Sequence, residues 1–196
     1  MSFDDWGIRP LDGFRTDEFL LRPIVEADAA SDHEAVMDTR EFLRVWEQST
    51  WPEDDFSVEA NREDMVKMEQ RHLDNYAYGY TMQTPDESSC LGCVYVMPPD
   101  AKGYADVVVT EVGSMRWADC RANVSFWVRG SRLDDGLDAR LLDELVRWFT
   151  DEWRLDGVVF STNQALDHQV ALLERAGLEK QFVLDLGDAA PAVAYA

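Results

Sequence analysis

The sequence predicts one mixed α/β domain with a mostly antiparallel sheet of six to seven strands, about four helices and one parallel crossover. Three observations support this fold class. Apolar residues alternate with other residues in segments 77–83 and 123–129, as expected of strands, and segment 90–97 suits a partner strand of the first. Leucines at helical spacing from Leu137 onward predict an amphipathic helix. The continuous apolar run 158–160 is typical of a parallel strand that is covered on both faces.

The first half of the chain predicts a strand, two helices and a hairpin. Residues 19–24 form the first predicted strand. Ser31 and Glu34 make a capping-box pattern, which predicts that the first helix begins there. Ser57 is the predicted N-cap of the second helix. Segments 77–83 and 90–97 then follow one another across a turn-like stretch, as in a β-hairpin.

The second half predicts the crossover and the end of the sheet. The β-rich segment 106–112 predicts an extra strand before the central one. A final helix is expected to end at Gly177, because glycine suits the residue that follows a helix. Residues 182–184 are the predicted closing strand. The domain is expected to span 19–187, with 1–18 as an N-terminal segment and 188–196 as a C-terminal tail.

The chain of 196 residues carries a formal net charge of −21, which bounds its partners. Nucleic acid is not an expected partner, because its phosphates would be repelled across most of the surface. The charge is consistent either with a solvated acidic surface or with an acidic approach to a site for a cationic amine. No apolar run reaches the ~18 residues that span a bilayer, and the N-terminus is acidic and polar. We therefore expect a cytoplasmic protein that does not bind membranes.

Cys90 and Cys93 form a lone C-x-x-C pair. A zinc site of the usual kind would need a second pair of ligands at suitable spacing, and the sequence offers none. Thioredoxin-like chemistry places this motif at the start of a helix, whereas here it falls in a predicted strand. The expectation is therefore structural thiols and no metal.

Four segments, in this order, resemble the GNAT-type N-acetyltransferases. They are Leu21-Arg22-Pro23-Ile24, Cys90-Leu91-Gly92-Cys93-Val94-Tyr95, Phe126-Trp127-Val128-Arg129 and Ala171-Leu172-Leu173-Glu174-Arg175-Ala176-Gly177-Leu178. The resemblance covers roughly residues 19 to 186. It implies that acetyl-CoA lies between two splayed parallel strands, and that its acetyl group passes to an amine of a small molecule or a protein.

The resemblance places the CoA pyrophosphate on the loop 129–138, at the start of the helix that follows. Helix N-termini hold anions through free N–H groups and the positive end of the dipole. Cofactor-binding positions in this stretch are Leu133, Asp134, Asp135, Gly136, Leu137 and Asp138. Only Gly136 matches the family's glycines, Leu133 stands where an Arg is usual, and three positions are acidic. A carboxylate ~4 Å from a phosphate costs ~1 to ~4 kcal/mol, which Arg129, Arg132 and Arg140 would offset in part. Alternatively, Asp134 or Asp135 caps the helix with no ligand present.

The resemblance also assigns the remaining cofactor contacts. Backbone N–H groups of Phe126, Trp127 and Val128 would polarise the thioester carbonyl. Asn163, after the parallel strand, would hydrogen-bond the pantetheine arm, although an Asn there also suits a turn.

The catalytic candidates are three titratable residues. Glu111 in the β-rich segment is the first candidate for the base and Asp119 the second. The resemblance implies a Tyr of the last helix as the acid, but no Tyr occurs between Ser161 and Gly177, so His168 is the candidate acid. A solvent-facing Glu and a surface His are the structural alternatives.

Trp46 and Trp51 would line the pocket for the acceptor, or pack in the core.

Three functions remain open from the sequence. The first is an N-acetyltransferase that uses acetyl-CoA. The second is a catalytically inactive domain of the same fold that binds a ligand or protein, and the third is a structural acidic protein. Assembly into a homodimer is left open as well.

Overall fold

The computed structural model describes residues 3–99, 101, 107–187 and 189–196. These residues form nine strands and five α-helices. The strands are β1 (Phe14–Arg15), β2 (Leu20–Pro23), β3 (Tyr78–Gln83), β4 (Cys90–Met97), β5 (Val108–Glu111), β6 (Ala122–Val128), β7 (Val158–Asn163), β8 (Lys180–Asp185) and β9 (Ala192–Tyr195). The helices are α1 (Ala29–Asp38), α2 (Arg40–Glu47), α3 (Val58–Leu73), α4 (Leu137–Arg147) and α5 (Asp167–Arg175), and a π-helical segment, Trp148–Trp153, continues α4.

All strands belong to one sheet in the order β1-β2-β3-β4-β6-β7-β9-β8-β5. Every neighbouring pair is antiparallel except β6 and β7, which are parallel. α4 makes the crossover between these two strands, as a parallel connection requires. The predicted fold class is confirmed, and the sheet has nine strands rather than six or seven.

The first predicted helix is divided in two. α1 begins at Ala29, so Ser31 lies inside its first turn, and its hydroxyl donates to the carbonyl of Asp28 rather than capping the helix. The chain leaves helical geometry at Thr39, which has φ −111° and ψ 6°. The Thr39 hydroxyl donates to the carbonyl of Ala35, which satisfies part of the helix end. The capping box was therefore a wrong prediction, whereas the Ser57 cap is confirmed, because its hydroxyl accepts from the Ala60 N–H.

The core is divided between the two faces of the sheet. On one face α4 and α5 cover a large cluster that includes Tyr80, Phe126 and Trp148. On the other face α1–α3 cover a smaller cluster that includes Leu43 and Trp127. Side chains of successive β6 residues therefore point to opposite layers, as in any strand.

Both terminal segments are part of the sheet, which corrects their prediction as a leading segment and a tail. Phe3 is fully buried and stacks on Tyr78, with ring centroids 4.5 Å apart. β1 pairs with β2, and β9 is inserted between β7 and β8. Alanine is a poor strand former, so the Ala-Val-Ala-Tyr sequence of β9 gave no clear strand pattern. Asp188, at the start of the predicted tail, lies outside the described residues.

The predicted extra strand is β5, which pairs only with β8 at the edge of the sheet. Asp106, at the start of that prediction, lies outside the described residues. Among the helices that the structure describes, none has both the length and the apolar character needed to cross a bilayer.

Candidate active site

A cleft opens where β6 and β7 diverge. The two strands pair only from Ala122–Val124 to Val158–Phe160. Beyond these residues β6 continues beside β4, while β7 continues beside β9. The resulting strand cleft has a volume of about 240 Å³, and its walls include Trp46, Glu47, Gln48, Ser125, Ser161 and Asn163.

A second cavity of about 340 Å³ lies between α1–α3 and β4, and we call it the helix cavity. Its walls include Ile24, Val36, Trp46, Trp51, Met65 and Tyr95. Trp46 stacks on Tyr95 with ring centroids 6.1 Å apart. The two Trp residues predicted to form an acceptor pocket therefore line the same cavity, and both also pack on the neighbouring apolar cluster.

Trp46, Glu47 and Ser125 belong to the walls of both cavities. Glu47 is the last residue of α2 and lines both spaces. The residue as a whole is exposed to solvent, but desolvation by nearby protein atoms raises the pKa of its carboxyl. Among the residues described, none forms a hydrogen bond or an ion pair with the Glu47 side chain. This combination is typical of a functional carboxyl group.

Two side chains fix the end of α2 beside the strand cleft. Gln48 adopts a left-handed conformation with φ 52°, which ends the helix. Its side chain donates to the Ala190 carbonyl at 2.8 Å and accepts from the Ala190 N–H. Asn163 donates to the Val45 carbonyl at 2.8 Å and accepts from the Ala165 N–H. Asn163 thus lines the strand cleft, and its amide holds α2 in place.

The backbone of β6 faces the strand cleft at alternate residues. In a strand, the N–H and C=O of one residue point to the same side, and the next residue points to the other. The Phe126 carbonyl points away from β4, because it accepts from the Gln169 side chain of α5 at 2.7 Å. Phe126 and Val128 therefore direct their N–H groups into the cleft, whereas Trp127 directs its own toward β4.

Gln169 joins the two diverging strands and was not predicted. It is buried, it donates to the Phe126 carbonyl of β6, and it accepts from the Thr162 hydroxyl of β7. Its spacing from Leu172 and Leu173 places it on the inward face of α5. The helical spacing therefore predicts that Gln169 faces inward. Its hydrogen-bond partners could not be predicted, because they belong to two strands that are distant along the chain.

The loop 129–138 leads into α4 as predicted, but no Asp side chain caps the helix. Gly130–Arg132 form one 3-10 turn, and Gly136 is the N-cap with φ 69°, a conformation that favours glycine. This N-cap has no side-chain hydrogen bond. Asp134 and Asp135 are exposed, while Leu133 and Leu137 pack against the apolar core.

Each of the three arginines expected to offset the acidic loop already has a carboxylate partner. The nitrogen-to-oxygen distances are 3.0 Å for Arg129–Asp38, 2.9 Å for Arg132–Asp135 and 2.6 Å for Arg140–Glu18. A pyrophosphate that enters this loop would have to compete with these carboxylates for the three arginine side chains.

The end of α1 occupies two backbone donors of the same loop. The Gly130 N–H donates to the Thr39 hydroxyl at 2.9 Å, and the Ser131 N–H donates to the Asp38 carboxylate at 3.3 Å. Burial would raise the pKa of Asp38, but hydrogen bonds from Ser131 and Arg129 outweigh it and lower the pKa. Asp38 is therefore a carboxylate at neutral pH and adds negative charge to the loop.

His168 is brought to this loop rather than to either cavity. Its Nε2 lies 2.6 Å from the buried carboxylate of Asp138 in the first turn of α4. The second oxygen of Asp138 accepts from the Ala139 N–H. Two predicted site residues, one assigned to acid catalysis and one to the phosphate, are thus direct partners.

Glu111 is not brought to the cleft. It lies in β5, and β8 and β9 separate β5 from β7. At ~4.8 Å between neighbouring strands, this places Glu111 roughly 14 Å away. Its carboxylate accepts from the Trp117 N–H at 2.8 Å, which holds the following loop. The second candidate, Asp119, is exposed in the 3-10 turn Trp117–Asp119.

Solved acetyltransferases share this architecture. The ribosomal-protein-S5-alanine acetyltransferase from Vibrio fischeri superposes with a TM-score of 0.66 at 15% identity, over 93% of this chain and 94% of that one. The ribosomal L7/L12 α-N-protein acetyltransferase RimL, solved with coenzyme A, gives 0.65 at 16%, over 92% and 93%. The microcin C7 self-immunity acetyltransferase MccE, solved with acetyl-CoA and AMP, gives 0.68 at 12%, over 95% and 96%.

No family model and no curated protein sequence matches this chain. At these identities the likeness establishes the fold, which is that of the GNAT acetyltransferases.

Proposed function

We propose that this protein is an N-acetyltransferase that takes the acetyl group of acetyl-CoA in the strand cleft and transfers it to an amine in the helix cavity. The observation that carries this proposal is the common wall of the two cavities. A thioester in one space and an amine in the other would meet beside Glu47 and Ser125. Bringing two reactants together in a fixed orientation is itself a large part of catalysis.

Glu47 is the proposed general base. The acceptor amine must lose a proton before it attacks, and a base works best when its pKa is close to the working pH. Desolvation shifts the pKa of Glu47 upward, in that direction. Since no described residue pairs with the Glu47 side chain, both carboxylate oxygens are available to the amine.

The N–H groups of Phe126 and Val128 are the proposed donors to the thioester oxygen. They belong to a rigid strand whose other edge is hydrogen-bonded to β4, so their positions do not change during the reaction. The hydroxyl of Ser125 can accept and donate a proton at once. We assign it the return of a proton from Glu47 to the leaving thiolate, which replaces the absent tyrosine of the last helix.

The acceptor is proposed to be an amine that carries an apolar or aromatic group. Trp46, Trp51 and Tyr95 offer ring faces that suit a cation or a flat apolar group. The RimL and S5-alanine relatives act on ribosomal proteins according to their names, and MccE confers self-immunity to microcin C7. Both a protein N-terminus and a small amine are therefore reasonable first acceptors to screen.

Calorimetric titration with acetyl-CoA at low and high salt tests the first half of the proposal. We expect binding that strengthens with salt, because salt screens the carboxylates around loop 129–138 from the pyrophosphate. Turnover is then measured as the release of the free CoA thiol in the presence of candidate amines. Absence of heat at millimolar acetyl-CoA under both conditions would rule out the enzyme.

A binding domain without CoA chemistry is the second candidate, and Gln169 is the observation that favours it. An extended ligand between two strands uses their free backbone groups, as a strand does when it joins a sheet edge. Gln169 already occupies the Phe126 carbonyl that such a ligand would need. If this bridge is permanent, Gln169→Ala will bind acetyl-CoA where the natural protein does not.

A further inference from the structure

A group of metal-binding side chains lies beneath α1, apart from the residues assigned to acetyl transfer. The thiols of Cys90 and Cys93 and the carboxylate of Asp32 lie within 4.8 Å of one another, and all three residues are buried. The Cys93 Sγ is 3.2 Å from the Asp32 Oδ1, and the Cys90 Sγ is 3.8 Å from the same oxygen.

A β-bulge creates this arrangement. Residues three apart in a regular strand point to opposite faces of the sheet. Here the register shifts between Met82 and Gln83 of β3, so one residue of β4 is extra and both thiols reach the same face. Gly92 permits the bulge, because a Cβ on it would lie 2.2 Å from the Trp127 carbonyl oxygen.

Asp32 is held with one oxygen directed at the thiols. The Asn61 side chain donates to the Asp32 Oδ2 at 2.9 Å and to the Ala29 carbonyl at 3.0 Å. This leaves Oδ1 for the two sulfur atoms. Metal sites commonly use such a neighbouring residue to orient a ligand.

The charge of the Asp32 carboxylate, beside the thiols of Cys90 and Cys93, also favours the binding of a cation. Every donor to Asp32 among the described residues is neutral, namely the Asn61 amide and the two thiols. Buried carboxylates are normally paired with a cation or bind a metal, because desolvation of an unpaired charge is costly. Two thiols that lose their protons on metal binding would complete a strong ligand set.

We propose that Asp32, Cys90 and Cys93 bind one zinc ion. With Zn–S bonds of about 2.3 Å and a Zn–O bond of about 2.0 Å, tetrahedral geometry puts sulfur and oxygen about 3.5 Å apart. The two observed separations, 3.2 and 3.8 Å, lie on either side of that value. Small side-chain movements therefore suffice to form the site.

The fourth position of this zinc would face the helix cavity. Asp32 and Asn61 both contribute to the wall of that cavity, which also provides a route for the ion to enter. Three protein ligands with one open position is the arrangement of catalytic zinc sites, whereas structural sites use four protein ligands. The zinc site does not depend on acetyl transfer, since none of its ligands is assigned to that reaction.

The test uses the reduced full-length protein, freed of metal and titrated with Co²⁺ as a spectroscopic substitute for zinc. We expect one equivalent of Co²⁺ per chain, a thiolate-to-cobalt charge-transfer band, and loss of the band on addition of Zn²⁺. Cys90→Ser and Cys93→Ser should each weaken binding at least ~100-fold, and Asp32→Asn ~10- to 100-fold. Cys120→Ser is the matched control, because Cys120 is also buried but lies in a different apolar cluster, and it should bind as the natural protein does.

Two results would overturn the zinc site: a natural protein without the charge-transfer band, or a band that persists unchanged in a folded Cys93→Ser variant. Circular dichroism establishes which variants fold. If the serine variants do not fold, the natural protein still decides the question. Because all three thiols are buried, alkylation is followed until the metal-free protein reacts through transient opening. Over that time zinc should protect two of the three thiols, and a chelator should remove that protection. Equal labelling with and without zinc refutes the proposal.

Discussion

The two sides of the candidate site differ in how far the protein satisfies its own polar groups. On the side of the helix cavity, the Glu47 side chain has no hydrogen-bond or ion-pair partner among the described residues and lies beside aromatic walls. On the side of loop 129–138, three arginines are paired with carboxylates, and α1 accepts from the N–H groups of Gly130 and Ser131. The first side is ready for a ligand, whereas a ligand on the second side must displace interactions that already exist.

This difference separates the two steps of the proposed reaction. In the proposed reaction, the affinity for acetyl-CoA would depend on the loop, while the rate of transfer would depend on the wall shared by the cavities. Variants on the two sides should therefore change different measured quantities.

The largest effect is expected at the shared wall. Glu47→Gln keeps the shape of the side chain but removes the base, so kcat/KM for the acceptor should fall ~10²- to 10⁴-fold while the Kd for acetyl-CoA is unchanged. Steady-state assays of CoA release and calorimetry measure the two quantities. Glu41→Gln on the same helix is the control, because Glu41 has an 81% exposed side chain. Equal activities of these two variants would remove Glu47 from the mechanism.

Removal of the Gln169 bridge should have the next largest effect, on stability. Gln169→Ala leaves the Phe126 carbonyl and the Thr162 hydroxyl without their partner, which costs about 1–3 kcal/mol in the free energy of unfolding. Urea denaturation measures this cost.

The same variant shows which function the strand cleft serves. If acetyl-CoA binds to Gln169→Ala but not to the natural protein, the strand cleft is closed in the natural protein, and the binding-domain alternative is favoured. Binding to both proteins indicates that the ligand displaces the side chain. Gln164→Ala, in the exposed turn before α5, controls for the change from Gln to Ala and should alter neither stability nor binding.

The pH dependence of activity follows from the same carboxyl group as the first prediction. A base acts when deprotonated, so kcat/KM should fall about tenfold per pH unit below the pKa of Glu47. Because desolvation raises that pKa, the fall should begin above the ordinary glutamate range. A stopped assay across acidic and neutral pH locates it. This fall of kcat/KM should disappear in Glu47→Gln, while any pH dependence that arises from the acceptor amine remains.

The fold was predictable because periodicity is a local property. The hairpin β3–β4, the strand β6 and the helix α4 each carry a clear apolar pattern, and the Ser57 cap needs only its own turn. The predictions of secondary structure were wrong where contacts between distant parts of the chain determine it. β9 has a weak pattern and forms a strand because β7 and β8 flank it, and Thr39 ends α1 although the apolar spacing continues.

The candidate site was predictable only in part. Strand β6 and the two Trp residues follow from the resemblance, and Ser125 of β6, Trp46 and Trp51 line the cavities, whereas loop 129–138 lines neither of them. Glu47 could not be identified from its neighbours in sequence, because the desolvation of its carboxyl arises from tertiary contacts, among them the packing of α2 against β7. Glu111 illustrates the opposite case, since β-rich residues predict a strand but not its place at the edge of the sheet.

The smallest effect is expected in loop 129–138. Asp135→Asn removes one negative charge near the proposed pyrophosphate and releases Arg132 from its ion pair. A charge pair ~4 Å apart in water interacts by ~1 kcal/mol, so acetyl-CoA should bind about fivefold more tightly at low salt. The gain should vanish at high salt, because the group is exposed and screened. Asp143→Asn is the matched control: it makes the same change in net charge from an exposed position farther along α4. An equal gain in both variants would mean that the overall charge of −21, rather than the loop, limits the binding of acetyl-CoA.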